Sequence, residues 1–273
     1  MTDKYAVIGN PISHSKSSLI HRMFAEQTGE DISYEAIEAP LDGFAATIER
    51  LRTEGYKGCN VTVPFKEQAY NLAGSFGSEV MVAHAANTLK FQDGRIEAHN
   101  TDGVGLLRDI EQNLQVSLRG KQILLMGAGG AAKGVATQIA SLLLHKSPST
   151  TLVIANRTVE KAHELARACN ATRVSAQSYE ELVGQQFDVV INATSTGLSD
   201  SMIPLPGTIF APGALAYDMM YGRETPFMAF ARAHGARVAD GLGMLVEQAA
   251  EAFFIWRGVR PDTRPVLEKL RNV

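Results

Sequence analysis

The chain has 273 residues, of which 45% are hydrophobic, enough for one large domain or two ordinary ones with real cores. Its 26 basic and 29 acidic residues give a net charge of −3 without a basic run, which argues against a nucleic-acid partner. The sequence has no apolar stretch of 18 residues, and its first residues lead directly into a strand pattern, so we expect neither a membrane span nor a signal peptide.

Cysteine and histidine usage points to a cytoplasmic protein without a metal site. Cys59 and Cys169 show neither metal-binding nor redox spacing, so we expect two buried, reduced thiols. The seven histidines are scattered and form no HxH or HExxH pattern. The sequence leaves the oligomeric state open, with a homodimer as one possibility.

The first hundred residues alternate between strand and helix patterns and include one hairpin signal, Asp93–Gly94. Gly29 is expected to end the first helix, with Ser15 or Ser17 as its N-cap. The expected elements, in chain order, are strands at 5–8, 33–38 and 58–63, helices at 17–27, 44–54 and 67–72, and paired strands at 89–92 and 95–99.

From about residue 103 the pattern becomes that of a doubly wound parallel sheet. The expected strands are 122–126, 151–156, 188–192, 215–218 and 237–239, and the expected helices are 103–113, 131–144, 159–169, 226–234, 242–257 and 266–271. The fold class is therefore α/β, with an N-terminal α/β domain containing a mixed sheet and a Rossmann-type nucleotide-binding domain.

A glycine-rich turn follows the strand at 122–126 and opens a helix, as the G-x-G-x-x-A dinucleotide motif requires. The first glycine allows the tight turn, the second lets a pyrophosphate approach the backbone, and the small last residue lets helix and strand pack closely. The alternative is a turn used only for packing. The motif comprises Gly127, Ala128, Gly129, Gly130, Ala131 and Ala132.

The second strand of this domain ends in "IANRT" without the acidic residue that NAD-selective folds use to bind the ribose 2′-hydroxyl. Arg157 stands there instead, and its planar guanidinium suits a phosphate. The alternative is a surface arginine at a helix start. We therefore expect NADP rather than NAD.

Polar residues in the first hundred positions are candidates for a substrate site. Ser15 and Ser17 lie around a helix start, where hydroxyls either cap the helix or hold a carboxylate. Asp102 is either an N-cap or a site residue. Lys66 follows an apolar strand and a proline, and a solvated surface charge is the default interpretation of such a lysine.

Nine motifs, in order along nearly the whole chain, resemble those of shikimate dehydrogenases: "YAVIGNPISHSKS", "NVTVPFKE", "AANT", "NTDGVG", "GAGGAAKG", "ANRT", "NATSTG", "YDMMY" and "DGLGMLVEQAAEAF". The resemblance implies reversible, metal-free, NADPH-dependent reduction of 3-dehydroshikimate to shikimate. It also implies a substrate-binding and catalytic domain at 1–102, completed by helices at 241–273, and an NADP-binding domain at 103–240.

The resemblance also assigns roles to residues. It implies that Lys66 is the catalytic lysine and Asp102 its partner, and that the lysine points into a cleft between the domains. The substrate-contacting positions are Ser15, Ser17, Thr62, Asn87, Tyr221 and Gln248. The cofactor-contacting positions are Gly127, Ala128, Gly129, Gly130, Ala131, Asn156, Arg157, Thr158, Lys161, Met219 and Gly241.

Two positions depart from the family pattern. His84 stands where the family usually has glycine, and Ser78 where it often has an acid, so we expect altered loop geometry near Asn87. Two other functions stay open: an NAD-using quinate/shikimate dehydrogenase, and a non-catalytic nucleotide-sensing protein. The absence of an acid in "ANRTVEK" counts against the first, and the presence of both Lys66 and Asp102 counts against the second.

Overall fold

The computed structural model describes residues 2–77, 80–146, 149–194 and 203–272, with side chains for all of these except 81–82 and 142–146. The chain divides into two compact units. The first contains the residues up to Gly105 and those from Leu245 onward, and the second is Leu106–Met244. No helix in the described part of the chain is long and apolar enough to span a bilayer.

The first unit is built on a mixed six-stranded sheet, in the order β2-β1-β3-β5-β6-β4. β1 runs parallel to β2 and β3, whereas β5 is antiparallel to both β3 and β6. Its elements are β1 (Asp3–Gly9), α1 (Ser17–Thr28), β2 (Ile32–Glu38), α2 (Phe44–Thr53), β3 (Gly58–Val61), α3 (Lys66–Leu72), β4 (Ser75–Phe76), α4 (Val80–Ala83), β5 (Thr88–Gln92) and β6 (Arg95–His99).

The second unit is built on an all-parallel sheet, in the order β12-β11-β10-β7-β8-β9. Two α-helices run across the division between the units: α5 (Asp102–Arg108), continued by a π-helical turn (Asp109–Asn113), and α9 (Leu242–Arg257). The other elements are β7 (Gln122–Met126), α6 (Gly130–Lys146), β8 (Thr151–Ala155), α7 (Val159–Ala168), β9 (Val174–Gln177), a 3-10 turn (Glu180–Leu182), β10 (Phe187–Asn192), β11 (Phe210–Asp218), α8 (Pro226–Ala233) and β12 (Arg237–Ala239), and α10 (Arg264–Arg271) closes the first unit.

This strand order is that of a doubly wound fold, so the predicted fold class is confirmed. The order reverses between β7 and β10, and ligands of such sheets bind beyond the carboxyl ends of the strands at this switch point. Ile123, Leu125, Val189 and Ile191 are fully buried, as central parallel strands require. The glycine-rich turn lies directly after β7, at this point of the sheet.

Local turn chemistry accounts for two confirmed predictions. Gly29 ends α1 with φ of 71°, in the left-handed region that glycine adopts without strain. Asp93 and Gly94 have φ of 51° and 72° and join β5 to β6, as a type I′ hairpin turn requires.

Two predictions of local structure were wrong. β3 ends at Val61 rather than at residue 63, and Val63 is 56% exposed, because the chain turns at Pro64 into α3. Ser17 is the first residue of α1 rather than its N-cap, a position that Lys16 occupies. The prediction also missed β4, α4 and β9, which are only two to four residues long.

An aromatic cluster joins α1, β2 and α9 in the first unit. His21 lies flat on Tyr34, with ring centroids 4.1 Å apart and an interplanar angle of 7°, and it also contacts Phe24 and Trp256. His21 is fully buried, and this burial lowers its pKa to about 3. The ring therefore acts as a neutral aromatic plate at ordinary pH.

The buried His21 should make the first unit sensitive to acid. The unfolded chain binds a proton at this residue below about pH 6.5, whereas the folded chain does not until about pH 3. The stabilisation is complete above pH 6.5 and is lost as the pH falls from there towards 3. His21→Phe keeps a flat ring without the titration, so its loss of unfolding free energy between pH 8 and pH 5 should be about 2 kcal/mol smaller than that of wild type.

Urea titrations followed by the fluorescence of Trp256, the only tryptophan in the chain, report this unit directly. The control is His14→Phe at an exposed histidine, which should reproduce the wild-type pH dependence. An equal loss of stability in wild type and His21→Phe would show that other groups cause the acid sensitivity.

Candidate active site

A lysine–aspartate pair lies at the carboxyl-end side of two strands of the first unit. Lys66 is the first residue of α3 after β3, and Asp102 is the first residue of α5 after β6. The Lys66 Nζ and Asp102 Oδ2 atoms are 2.5 Å apart, and the two side chains are only 13% and 7% exposed. The default interpretation of Lys66 as a solvated surface charge is therefore wrong.

The Asp102 carboxylate is available for this contact, because the Asn100 side chain caps the turn in its place. The Asp102 N–H donates to Asn100 Oδ1 at 3.1 Å. The Asp102 carboxylate instead accepts hydrogen bonds from Lys66 and, at 2.8 Å, from Asn87 Nδ2. Of the two interpretations left open for Asp102, the geometry favours the site residue over the N-cap.

The Asn87 amide is fixed in one orientation by its partners. Its Oδ1 accepts from the Thr101 N–H at 2.8 Å, and its Nδ2 faces the Asp102 carboxylate, which only accepts. Nδ2 also lies 3.0 Å from Thr101 Oγ1 and 3.2 Å from Gln248 Oε1. The structure therefore brings four sequence-distant polar residues, Lys66, Asn87, Asp102 and Gln248, into one network in the first unit.

The remaining residues predicted to contact substrate occupy separate places. The Ser15 hydroxyl accepts from the Ser17 N–H at 3.2 Å at the start of α1. Thr62 follows β3, is half-buried and donates its N–H to Ile8 O at 2.9 Å. Tyr221 belongs to the second unit, beyond β11, and burial raises its pKa.

The glycine-rich turn of the second unit has the geometry of its motif. Gly127 has φ of 110°, and a β-carbon there would lie 3.0 Å from Ala193 O, so only glycine fits. Gly129 is exposed, and a β-carbon there would meet no described atom within 4 Å. Gly130 opens α6 and Ala131 is half-buried in its first turn, while Ala128 is buried. The turn therefore leaves its backbone uncovered at Gly129.

The segment after β8 exposes the predicted phosphate-binding side chains. Arg157, Thr158 and Lys161 are exposed, and Thr158 is the N-cap residue of α7. The Asn156 Nδ2 donates to Thr158 O at 2.9 Å and holds the turn. The described residues here form a basic, uncovered loop at the end of the second strand of the domain.

Met219 and Gly241 meet through their backbones. A β-carbon on Gly241 would lie 2.3 Å from Met219 O, so this contact requires glycine. The Met219 N–H bonds Asn192 O at 3.0 Å, and the Asp218 carboxylate receives Asn192 Nδ2 at 3.1 Å and Thr225 Oγ1 at 2.5 Å. The buried Asp218 thus orders the carboxyl ends of β10 and β11.

His84 adopts φ of 47°, a conformation natural for the glycine of the family pattern. Its ring stacks on Tyr70 at 4.9 Å, four residues beyond Lys66 on α3, and Ala86 N donates to Lys66 O at 2.9 Å. The loop to Asn87 is thereby tied to α3 at two points. Ser78, the other departure, lies outside the described residues.

Sequence reasoning missed two members of the network, Asn60 and Thr88. Both are buried, and both contact Asn87 or its backbone. The available signal was the polar Asn60 side chain within β3, whereas Thr88 stands at the start of β5 without a comparable signal. Among the described residues, no group of three or more His, Cys, Asp or Glu side chains is placed to hold a metal ion.

Three family profiles match the chain. They are the "Shikimate dehydrogenase substrate binding domain" at residues 7–89, "Shikimate / quinate 5-dehydrogenase" at 109–199 and "Shikimate 5'-dehydrogenase C-terminal domain" at 241–271. The first two matches fall in different units, and the third spans the whole of α9 and α10.

Full-length relatives agree with these matches. The shikimate dehydrogenase (NADP(+)) of Methylobacillus flagellatus is 58% identical, over 98% of this chain and 99% of that protein. The enzyme of the same name from Dechloromonas aromatica is 56% identical, over 99% of this chain and 98% of that protein.

Solved structures are similar over the whole chain. An Ael1 enzyme from Pseudomonas putida is 50% identical, with a TM-score of 0.91 and 98% of each chain covered. The shikimate 5-dehydrogenase of Thermus thermophilus, solved in complex with NADP(H) and shikimate, is 31% identical, with a TM-score of 0.87 and 99% of each chain covered. The chain therefore belongs to the shikimate dehydrogenase (NADP(+)) family.

Proposed function

We propose that the chain interconverts 3-dehydroshikimate and shikimate with NADP(H), and that Lys66 and Asp102 are its acid–base pair. The observation that carries the proposal is the shielded 2.5 Å contact between Lys66 Nζ and Asp102 Oδ2 in a chain of this family. The first unit is then the substrate-binding and catalytic unit, and the second unit binds the cofactor.

Ketone reduction leaves negative charge on the substrate oxygen, and this oxygen requires a proton. A bound NADPH would supply the hydride to the carbonyl carbon. The Lys66 ammonium stabilises the developing charge and donates a proton to the oxygen, and in the reverse direction the neutral amine accepts it. Lys66 stands at the start of α3, directly after β3, so the amine has a rigid base.

Asp102 and Asn87 orient this proton transfer. The carboxylate holds the Lys66 ammonium at one oxygen and the Asn87 amide at the other, so neither oxygen is free to rotate away. Asp102 also accepts a hydrogen bond from a substrate hydroxyl. Ser15 and Ser17 at the start of α1 bind the substrate carboxylate, and Thr62, Asn87, Tyr221 and Gln248 contact its ring substituents.

The glycine-rich turn fits a dinucleotide. The open space at Gly129 admits a pyrophosphate close to the backbone, and the N–H groups at the amino terminus of the 17-residue α6 donate to it. Arg157, with Asn156, Thr158 and Lys161, binds the 2′-phosphate, while Met219 and Gly241 contact the nicotinamide. No acidic side chain stands at the end of β8 to repel that phosphate.

Replacing the lysine tests the acid–base role. Lys66→Ala should lower kcat by roughly 10²–10⁴-fold with little change in KM, because the amine acts mainly in the transition state. The assay follows NADPH absorbance with shikimate and NADP⁺. Lys57→Ala, at an exposed lysine of the same unit, is the control and should keep wild-type kcat. A folded Lys66→Ala variant with near-normal kcat would remove Lys66 from the mechanism.

Gly129→Ala tests whether a ligand approaches this turn. The added methyl meets no described protein atom within 4 Å, so the melting temperature should not change. The methyl does occupy the space that the pyrophosphate needs, so the NADP⁺ Kd should rise about tenfold or more. Gly74→Ala, another glycine with open space around it, is the control for cofactor titrations. An unchanged Kd in Gly129→Ala would place the pyrophosphate elsewhere.

Arg157→Ala tests cofactor selectivity. A charge-assisted contact contributes about 1.5–3 kcal/mol, which corresponds to roughly 10- to 150-fold in Kd, and exposure with salt screening favours the lower figure. The NADP⁺ Kd should therefore rise about tenfold, whereas the NAD⁺ Kd should move far less. Arg167→Ala, at the other end of α7, is the matched control. Equal losses for both cofactors would mean that Arg157 supports the loop rather than the phosphate.

A further inference from the structure

A row of hydrogen bonds extends from the Asp102 carboxylate into the interior of the first unit. Asn87 Nδ2 donates to Asp102 Oδ1 at 2.8 Å, and Thr88 Oγ1 donates to Asn87 Oδ1 at 3.0 Å. Asn60 Nδ2 donates to Thr88 Oγ1 at 3.0 Å, and the Tyr34 hydroxyl donates to Asn60 Oδ1 at 2.7 Å. Asn60, Asn87 and Thr88 are all buried.

The chemistry of the groups fixes a single direction along this chain. The carboxylate only accepts, so the Asn87 nitrogen must face it and the Asn87 oxygen must face Thr88. The single proton of Thr88 is then used, so its oxygen accepts from the Asn60 nitrogen, and the Asn60 oxygen is left for Tyr34. Each donor therefore points towards Asp102, and this alignment strengthens the bonds mutually.

Tyr34 is suited to be the terminal donor of this chain. Burial raises the pKa of its phenol well above the ordinary value, so the hydroxyl keeps its proton at any working pH. Its ring is held flat against the neutral, fully buried His21. The phenol cannot rotate away without breaking this stack.

We propose that Tyr34 is a positioning residue for the reaction, whose hydroxyl holds the Asn87–Asp102–Lys66 group in place through this chain of hydrogen bonds. This proposal rests on the proposed function. Without the hydroxyl, the buried Asn60 oxygen loses its donor and its amide is free to turn, which releases Thr88 and then Asn87. The residue touches no reacting atom and acts through its neighbours.

The test is Tyr34→Phe, which removes one oxygen and keeps the ring on His21. The kcat for shikimate oxidation should fall about two- to tenfold, and the KM for shikimate should rise by a similar factor, as losing one hydrogen bond predicts. The KM for NADP⁺ should stay at the wild-type value. A residue with only a structural role would lower the melting temperature and leave kcat and KM of the folded enzyme unchanged.

Tyr56→Phe is the matched control. The Tyr56 hydroxyl bonds Glu35, the neighbour of Tyr34 on β2, and belongs to no part of the chain to Asp102. This variant should keep both wild-type constants. Unchanged kcat and KM in Tyr34→Phe, or equal effects in the two variants, would overturn the proposal.

Thr88→Val interrupts the same chain one step closer to Asp102 and replaces Tyr34→Phe should that variant fail to fold. Its kcat should fall and its KM for shikimate should rise as in Tyr34→Phe, because both variants release Asn87. Adding Tyr34→Phe to Thr88→Val should then change neither constant further. A wild-type kcat in Thr88→Val would overturn the chain. An inactive wild type would instead contradict the proposed function itself.

Discussion

The Asp102 side chain is 93% shielded from solvent, so its carboxylate needs hydrogen-bond donors in fixed positions. The arrangement of the first unit around Asp102 follows from this requirement. The burial of one unpaired charge costs several kcal/mol, and the donors of Lys66 and Asn87 offset this cost. Lys66 follows β3 and Asn87 precedes β5, so the central strands of the sheet set the positions of both residues. The same contacts that satisfy the buried charge therefore assemble the proposed proton-transfer group.

The second unit is shaped by a different constraint: the backbone at the end of a parallel strand must stay exposed. Gly127 turns the chain in a conformation open to glycine alone, and Gly129 leaves the space beyond it free. The alternation of β7, α6 and β8 places Arg157 one strand away from this turn. The proposed phosphate site requires only backbone geometry and one exposed cation, so it leaves a local signature in the sequence.

This difference between the two units explains which features could be predicted from the sequence. The glycine turn, the missing acid after β8, the hairpin at Asp93–Gly94 and the helix end at Gly29 all depend on neighbouring residues, and local patterns identified each of them. The fold class followed from the same periodicities. The exposure of Val63 was missed, because a strand pattern does not show where pairing stops.

Long-range hydrogen bonds were the part that local patterns could not supply. Asn60 lies 27 and 28 residues from its partners Asn87 and Thr88, and Gln248 lies 161 residues from Asn87. Lys66 and Asp102 were assigned through a family resemblance, since nothing in either segment alone says that they meet. Tyr34 carries no sequence signal at all, being one aromatic residue in an edge strand.

The most direct test of the account is a double-mutant cycle on Lys66 and Asp102. If the two side chains act as one proton-transfer unit, Lys66→Ala and Asp102→Asn should each lower kcat, and the double variant should be no slower than the slower single variant. Circular dichroism of all three variants establishes that they are folded. Losses of kcat that multiply in the double variant would show two independent roles and contradict the account.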